Sequence, residues 1–381
     1  MDMKLRTITI GINLETDKME PQVKKAGQFA LRAKHIFEEE GYPVQTIRLV
    51  TQPWETYYSS SKQMTELVRR MSESTRNNHF DYFNLGTTSN PELIPLSVDL
   101  ISEGITSFCT AMTADRGRID YRAAREAAAV IRSLAGKEEN GFANLRFAAI
   151  SNIRPGCPFF PASYHAGPPA FAIGTENSDL VSRAFTKAGE IETAGGILQD
   201  ILDYEFKAVE EIAVRVAEKG EYAYGGLDVS IAPSVEKDQS LAFAFEKLGL
   251  GQFGEPGTLM AAGKITECLK NAAVKKCGYS GLMLPVLEDY GLALRNTEGK
   301  FDIMRLLQYS AICGTGLDTI PLAGDAEEKS LYALLLDIAS LSIKLDKPLS
   351  ARLMPIPEKN AGDMTTFDFE YFVNTKIMEL T

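Results

Sequence analysis

Five times in the first 150 residues the chain shows a strand-like hydrophobic period, and helical runs separate one occurrence from the next. LRTITIGINL (residues 5–14) alternates apolar and polar side chains as a half-buried strand does. QVKKAGQFALRAKHIFEEEG (22–41) then takes up the three-to-four-residue spacing of an amphipathic helix, closed by Gly41. PVQTIRLV (43–50), FDYFNLG (80–86), ITSFCTAM (105–112) and NLRFAAISN (144–152) repeat the strand pattern. Of the helical runs between them, one carries Met64, Leu67, Val68 and Met71 on a single stripe. Strands that alternate with helices pair in parallel and bury both sheet faces, which commits the chain to α/β architecture.

The alternation resumes less evenly after residue 168. PAFAIG (169–174), GLDVSIAP (226–233), GLMLPV (281–286), CGTGLDTIPL (313–322) and LSARLMPI (349–356) read as strands. GGILQDILDYEFKAVEEIAVRVAEKG (195–220) is the longest helical pattern between them. The tally is ten strands, five on each side of SNIRPGCPFFPASYHAG (151–167). A length of 381 residues could hold two or three domains, but no Ser/Gly linker or composition break cuts the chain. We expect one α/β domain over 1–381, with halves of about 1–151 and 169–381 joined by a Pro-rich crossover, 152–168.

A net charge of −11 and scattered Lys and Arg exclude nucleic acid as an expected partner, because phosphate contacts need clustered cations. No apolar run approaches the length of a membrane span, and the N-terminus lacks the apolar block of a secretory signal. Five widely spaced cysteines (109, 157, 268, 277 and 313) without a C-x-x-C fit reduced thiols, and a cytoplasmic setting is expected.

Chemistry is expected where scarce polar groups interrupt apolar strands or stiff loops. In the crossover, Pro155, Pro158 and Pro161 fix an extended path that would preorganise Arg154, Tyr164 and His165. His165 is a candidate acid–base group, and Arg154 a clamp for a carboxylate or phosphate. Cys157 has no flanking base to lower its pKa. Asp228 stands in an apolar strand and shares a face with Ser230; Asp318 has a similar setting. A carboxylate so placed either binds a cation or pairs with an arginine, and Arg352, flanked by Ala351 and Leu353, is the natural partner. Gly257 and Thr258 open a helix whose free amides could hold an anion, and Asp363 lies in a polar loop after the last strand.

Taken together, RFAAISNIRPGCPFFPASYH, GGLDVSIAPS, GLMLPVLEDYG, CGTGLDTIPLAGD and SARLMPIPEKNAGD resemble, in this order, the domain of unknown function 711 family. The resemblance implies a ten-stranded α/β barrel of two antiparallel five-stranded parallel halves, similar to that of pyruvate formate-lyase and anaerobic ribonucleotide reductases. It implies no settled activity. The radical machinery of those enzymes has no counterpart here: the last glycine, Gly362, stands in NAGDMTTF and not in an Arg-Val-x-Gly-Tyr context, and no Cys-Cys pair occurs.

Two functions follow as expectations. One is an enzyme acting on a small anionic metabolite inside the barrel. In it Asp228 and Asp318 hold a divalent cation or a water, His165 moves a proton, and Arg352 and Arg154 clamp the substrate. The other is a non-catalytic metabolite-binding or regulatory protein on a degenerate barrel. Neither involves nucleic acid or a membrane, and self-association into a homo-oligomer is left open.

Overall fold

The structure is a computed structural model that describes residues 3–218, 220–312 and 314–380; Cys313 lies outside the described residues. The first half builds β1 (Lys4–Ile12), α1 (Met19–Glu39), β2 (Val44–Thr51), α2 (Ser61–Asn77), β3 (Tyr82–Thr88), α3 (Ser97–Glu103) and β4 (Ser107–Asp115). A two-residue strand β5 (Arg118–Ile119), α4 (Tyr121–Ala135) and β6 (Phe147–Ser151) complete it. The second half contributes β7 (Ala170–Glu176), α5 (Ser178–Ala188), α6 (Ile191–Glu218), β8 (Ala223–Asp228), α7 (Leu241–Glu246), α8 (Thr258–Asn271), α9 (Tyr290–Thr297) and α10 (Ile303–Ile312). It ends with β9 (Gly316–Ala323), α11 (Glu328–Leu345) and β10 (Leu349–Ile356).

All ten strands belong to one sheet of order β8-β7-β1-β2-β3-β4-β6-β10-β9, with β5 folded back on β4. The five long strands of the first half are mutually parallel. They are flanked by the parallel pairs β7–β8 and β9–β10, each joined to them antiparallel. Arg6 of β1 and Arg352 of β10 bind the same carboxylate, Glu288, although five strand spacings separate them along the sheet. On a flat sheet those strands would lie roughly 24 Å apart. The sheet is therefore curled on itself.

The curl is not closed by a continuous ladder. GLMLPV, expected as a strand, forms no regular strand. The segment 276–286 that contains it crosses the gap between β8 and β9 through single bridges Leu227↔Lys276 and Ile231↔Leu282 on one side. On the other, Gly314 N donates to Leu282 O and Val286 N to Asp318 O. Pro285 and three glycines, Gly278, Gly281 and Gly314, sit in or against this stretch, where a Cβ at Gly278 would collide with the Asp228 carboxylate.

Side chains alternate across the curled sheet. Leu5, Ile8, Ile47, Leu49, Phe83, Phe147, Leu227 and Leu353 pack outward into the main core with the helices. Thr9, Arg48, Asn84, Phe108, Ala148 and Arg352 belong to the enclosed face. The crossover enters that enclosure. Thr9 Oγ1 donates to Pro158 O at 2.8 Å and Asn84 Nδ2 to Pro161 O at 2.6 Å, so residues 158–161 are gripped from inside by β1 and β3. Among the described residues no helix is long and apolar enough to cross a membrane.

Candidate functional site

Above the inserted crossover lies a cavity of about 100 Å³, lined from β1, β2, β3, β4, β6, β9 and β10 and floored by Phe159, Phe160 and Pro161. Phe369 and Tyr371 of the C-terminal segment stand at its edge. Its polar wall is a chain of ion pairs. Arg352 Nε donates to Asp318 Oδ1 at 2.6 Å and its Nη2 to Glu288 Oε1 at 2.6 Å. Arg6 continues the chain, with Nη2 to Glu288 Oε2 at 3.2 Å and Nη1 to Glu176 Oε2 at 2.7 Å.

Two register breaks in the sheet aim these residues. Leu5 pairs with Thr175 and Thr7 with Gly174, so Arg6 is the extra residue of a bulge and points inward together with its neighbour Thr7. Between β9 and β10, Ala351 pairs with Leu317 and Leu353 with Ile320, which leaves Arg352 opposite both Asp318 and Thr319. Thr319 takes φ 43°, a left-handed conformation that is costly for a β-branched residue. That strain accompanies an Asp318 side chain turned onto the cavity wall beside Arg352.

Burial raises the Glu288 carboxyl above its ordinary value and Asp318 adds to that, while Arg352 and Arg6, whose guanidiniums both donate to it, oppose the shift. Burial works against Arg352 too, but Asp318 and Glu288 outweigh it and hold its pKa above the usual value. Arg48 is different. Its Nε donates to Thr46 Oγ1 at 3.0 Å, its guanidinium lies 5.3 Å from the Phe160 ring centre and 5.8 Å from that of Tyr82, and it makes no ion pair among the described residues. Burial, reinforced by the Arg6 charge, pushes it down to about 10. Its two outer nitrogens have no hydrogen-bond partner among the described residues, so the cavity wall presents a half-buried cation with donors to spare.

The residues singled out from sequence divide sharply. Asp318 and Arg352 are brought together on the cavity wall, as an ion pair. Asp228 and Ser230 share a face as expected, but against each other: Asp228 accepts from Ser230 N, Ser230 Oγ, Tyr279 N and Ser280 N, with no side-chain exposure. Burial pushes its carboxyl up to about 6. Asp228 lines no part of the cavity, so it and Asp318 do not share a site. Among the described residues no cluster of three or more His, Cys, Asp or Glu could hold a metal ion.

His165 and Arg154 stay at the opposite rim, where the crossover enters and leaves. His165 N donates to Thr51 O, its ring Nε2 meets Gly167 O at 3.1 Å, and the ring fills the space a side chain at Gly11 would need. Burial lowers its pKa. Arg154 is exposed and pairs with Asp115 at 3.1 Å, while Tyr164 Oη donates to Ile153 O. Cys157 is buried, which raises its thiol well above the ordinary value. Gly257 precedes α8 with φ 105°, and Thr258 Oγ1 is already engaged, accepting from Gly254 N and donating to Glu255 O. Asp363 is exposed and accepts from Asn360 N. Neither of these loops reaches the cavity.

With this geometry in hand, residues 1–369 match the family described as Uncharacterised ACR (DUF711). The chain belongs to this family. A UPF0210 protein of Syntrophobacter fumaroxidans is 25% identical to it over 96% of this chain and 88% of its own length. One of Pyrobaculum arsenaticum is 30% identical over 69% of this chain, a match that spans 59% of that protein. Among solved structures, the anaerobic ribonucleotide reductase from Thermotoga maritima superposes with a TM-score of 0.46 at 9% identity, over 91% of this chain and 75% of that one.

The cavity of this DUF711 chain also contains residues that its sequence did not single out: Arg6, Arg48, Tyr82, Tyr279 and Glu288. Arg48 sits at a polar position of the alternating run QTIRLV, where a strand facing solvent carries the same pattern, and Arg6 interrupts the alternation of LRTITI beside Thr7. Glu288 lay in plain sight within GLMLPVLEDYG, next to Asp289. The neighbour is occupied elsewhere: Asp289 caps α9 and receives Ser240 Oγ and Leu241 N.

Proposed function

We propose that the protein is an enzyme that takes a small anionic metabolite into the curled sheet, with Arg48 holding the anionic group and Asp318 accepting a proton or hydrogen bond at the other end. One observation carries this reading. Arg48 is a half-buried guanidinium on a cavity wall, with two outer nitrogens that have no partner among the described residues and no carboxylate in ion-pair contact, and so can receive an anion. The aromatic rings of Tyr82 and Phe160 hold it in place, so little rotamer freedom is lost when an anion arrives. Arg352, fixed by Asp318 and Glu288, steadies charge that develops near Asp318. The cysteines described are free thiols, which supports a reducing compartment, the cytoplasm, as the place of work.

Thermal shift against a panel of small carboxylates and phosphate monoesters tests the clamp. At least one probe should raise the melting temperature of the wild type and leave Arg48→Gln unmoved. A panel in which every probe treats the two proteins alike sinks the reading. The stabilising probe is then incubated with each protein and followed by mass spectrometry. Consumption by the wild type and not by Asp318→Asn supports catalysis, and an intact probe removes the catalytic half of the proposal.

A further inference from the structure

The charges around the cavity do not call for an anion alone. The wall runs Asp318–Arg352–Glu288–Arg6–Glu176, three carboxylates to two guanidiniums, and so carries one negative charge in excess. Arg48 carries one positive charge and no carboxylate partner. The sum is formally zero, but no carboxylate of the wall is in ion-pair contact with Arg48 on β2.

A ligand with only a carboxylate would satisfy Arg48 and leave the enclosure with a net negative charge facing Asp318 and Glu288. A phosphate monoester would leave more. In a half-enclosed cavity such an imbalance is costly. The wall also offers a specific acceptor. Asp318 Oδ1 is taken by Arg352 Nε, while its other oxygen has no partner among the described residues, and at 18% side-chain exposure Asp318 is the most accessible acid of the chain of pairs. The bulge opposite Arg352 and the strained Thr319 keep that carboxylate turned to the cavity.

We propose that the ligand is a zwitterion of the amino-acid class, its carboxylate on the outer nitrogens of Arg48 and its ammonium on the free oxygen of Asp318. This rests on the reading of Arg48 as an anion clamp and adds the second charge. Bound in this way the ligand leaves the cavity neutral and pairs both of its exposed charges. The small volume restricts it to a compact molecule, with Phe108 and Phe160 against its apolar part.

Calorimetry with matched probe pairs tests the inference. Small α-, β- and γ-amino acids are each compared with the carboxylate that lacks the amino group, for example alanine with propionate and 4-aminobutyrate with butyrate. At least one amino acid should bind the wild type about 10-fold or more tightly than its partner, the worth of a charge-assisted hydrogen bond. Asp318→Asn should bring the two within roughly 3-fold while the simple carboxylate still binds. Arg48→Gln should lose both. If simple carboxylates bind as well as or better than the amino acids, and Arg48→Gln abolishes this, the clamp stands and the zwitterion is overturned. If no probe of either kind binds the wild type, or binding survives Arg48→Gln, the clamp fails and the inference falls with it. The wild-type comparison needs no variant, so it decides even where Asp318→Asn folds poorly.

Discussion

Asp228 and Asp318 begin as near twins, each an acid inside an apolar strand, but the curl of the sheet buries the first and only half-buries the second. What separates them is who answers the charge. Asp228 receives four hydrogen bonds, three of them from backbone N–H groups at 2.8–3.0 Å, and is sealed from solvent. Asp318 receives one, from Arg352, and keeps an oxygen toward the cavity. A carboxylate answered by backbone is committed to the fold, because those donors exist only in that local geometry. A carboxylate answered by one side chain retains capacity for something else. The curled sheet thus contains one acid that ties the 276–286 segment to β8 and one that faces the cavity.

The sharpest way to break this contrast is Asp228→Ala. Four buried donors lose their acceptor at once, so unfolding in urea should show a loss on the order of 4 kcal/mol, with the ligand affinity of whatever still folds unchanged. A loss below about 1 kcal/mol would falsify the view of Asp228 as a fold-holding group. Glu288→Gln comes next, at about 3 kcal/mol, because Arg352 and Arg6 lose the charge they share. Unlike Asp228→Ala, it should also disturb ligand binding.

The pH dependence of stability probes Asp228 directly. Its carboxyl is held near pH 6 by burial, above the ordinary carboxylate range, so between about pH 4 and 6 the folded protein binds more protons than the unfolded chain. The stabilisation from this group is therefore complete below about pH 4 and is lost as pH rises through about 6. The unfolding free energy of the wild type minus that of Asp228→Asn should fall by roughly 2 kcal/mol across that window, and a flat difference contradicts the assignment.

Arg48→Gln reverses the pattern of Asp228→Ala. Removing a half-buried cation that makes no ion pair among the described residues should leave stability unchanged or raise it by up to about 1 kcal/mol while ligand binding disappears, the usual trade at a functional site. Arg154→Ala is the smallest expected effect. Its pair with Asp115 is exposed, so both stability (within about 0.5 kcal/mol) and binding should be untouched. A binding defect there would move the site to the other rim.

Much of the fold was written in period and punctuation. The five strands of the first half, β9 and β10 fall where alternation and glycine or proline boundaries put them, and Arg352 pairs with Asp318 as its apolar flanks suggested. The site was less legible because the sheet curls. Once polar side chains point into an enclosure, their alternation in sequence is the same as that of a strand facing water, and Arg48 is disguised by that equivalence; Arg6 is hidden by a bulge that the sequence shows only as two polar residues in a row. The crossover shows a different limit. Its prolines announce a stiff path, and the path does turn inward, but only residues 158–161 reach the floor of the cavity. His165 and Arg154 mark its entrance and exit, a distinction set by how deep the loop is drawn in by Thr9 and Asn84 and not by residue type.

The bulge at Arg6 has a consequence for how this cavity can be altered. The side chain faces inward because β1 holds one residue more than β7 over that stretch, so its aim is set by chain count as well as by residue identity. Removing one residue there would let the ladder with β7 run regular, shift β1 by one step against β2 and take the guanidinium off the cavity wall, with every remaining side chain intact. The cavity is exposed in this way to a change of length that no substitution scan of its lining would reveal.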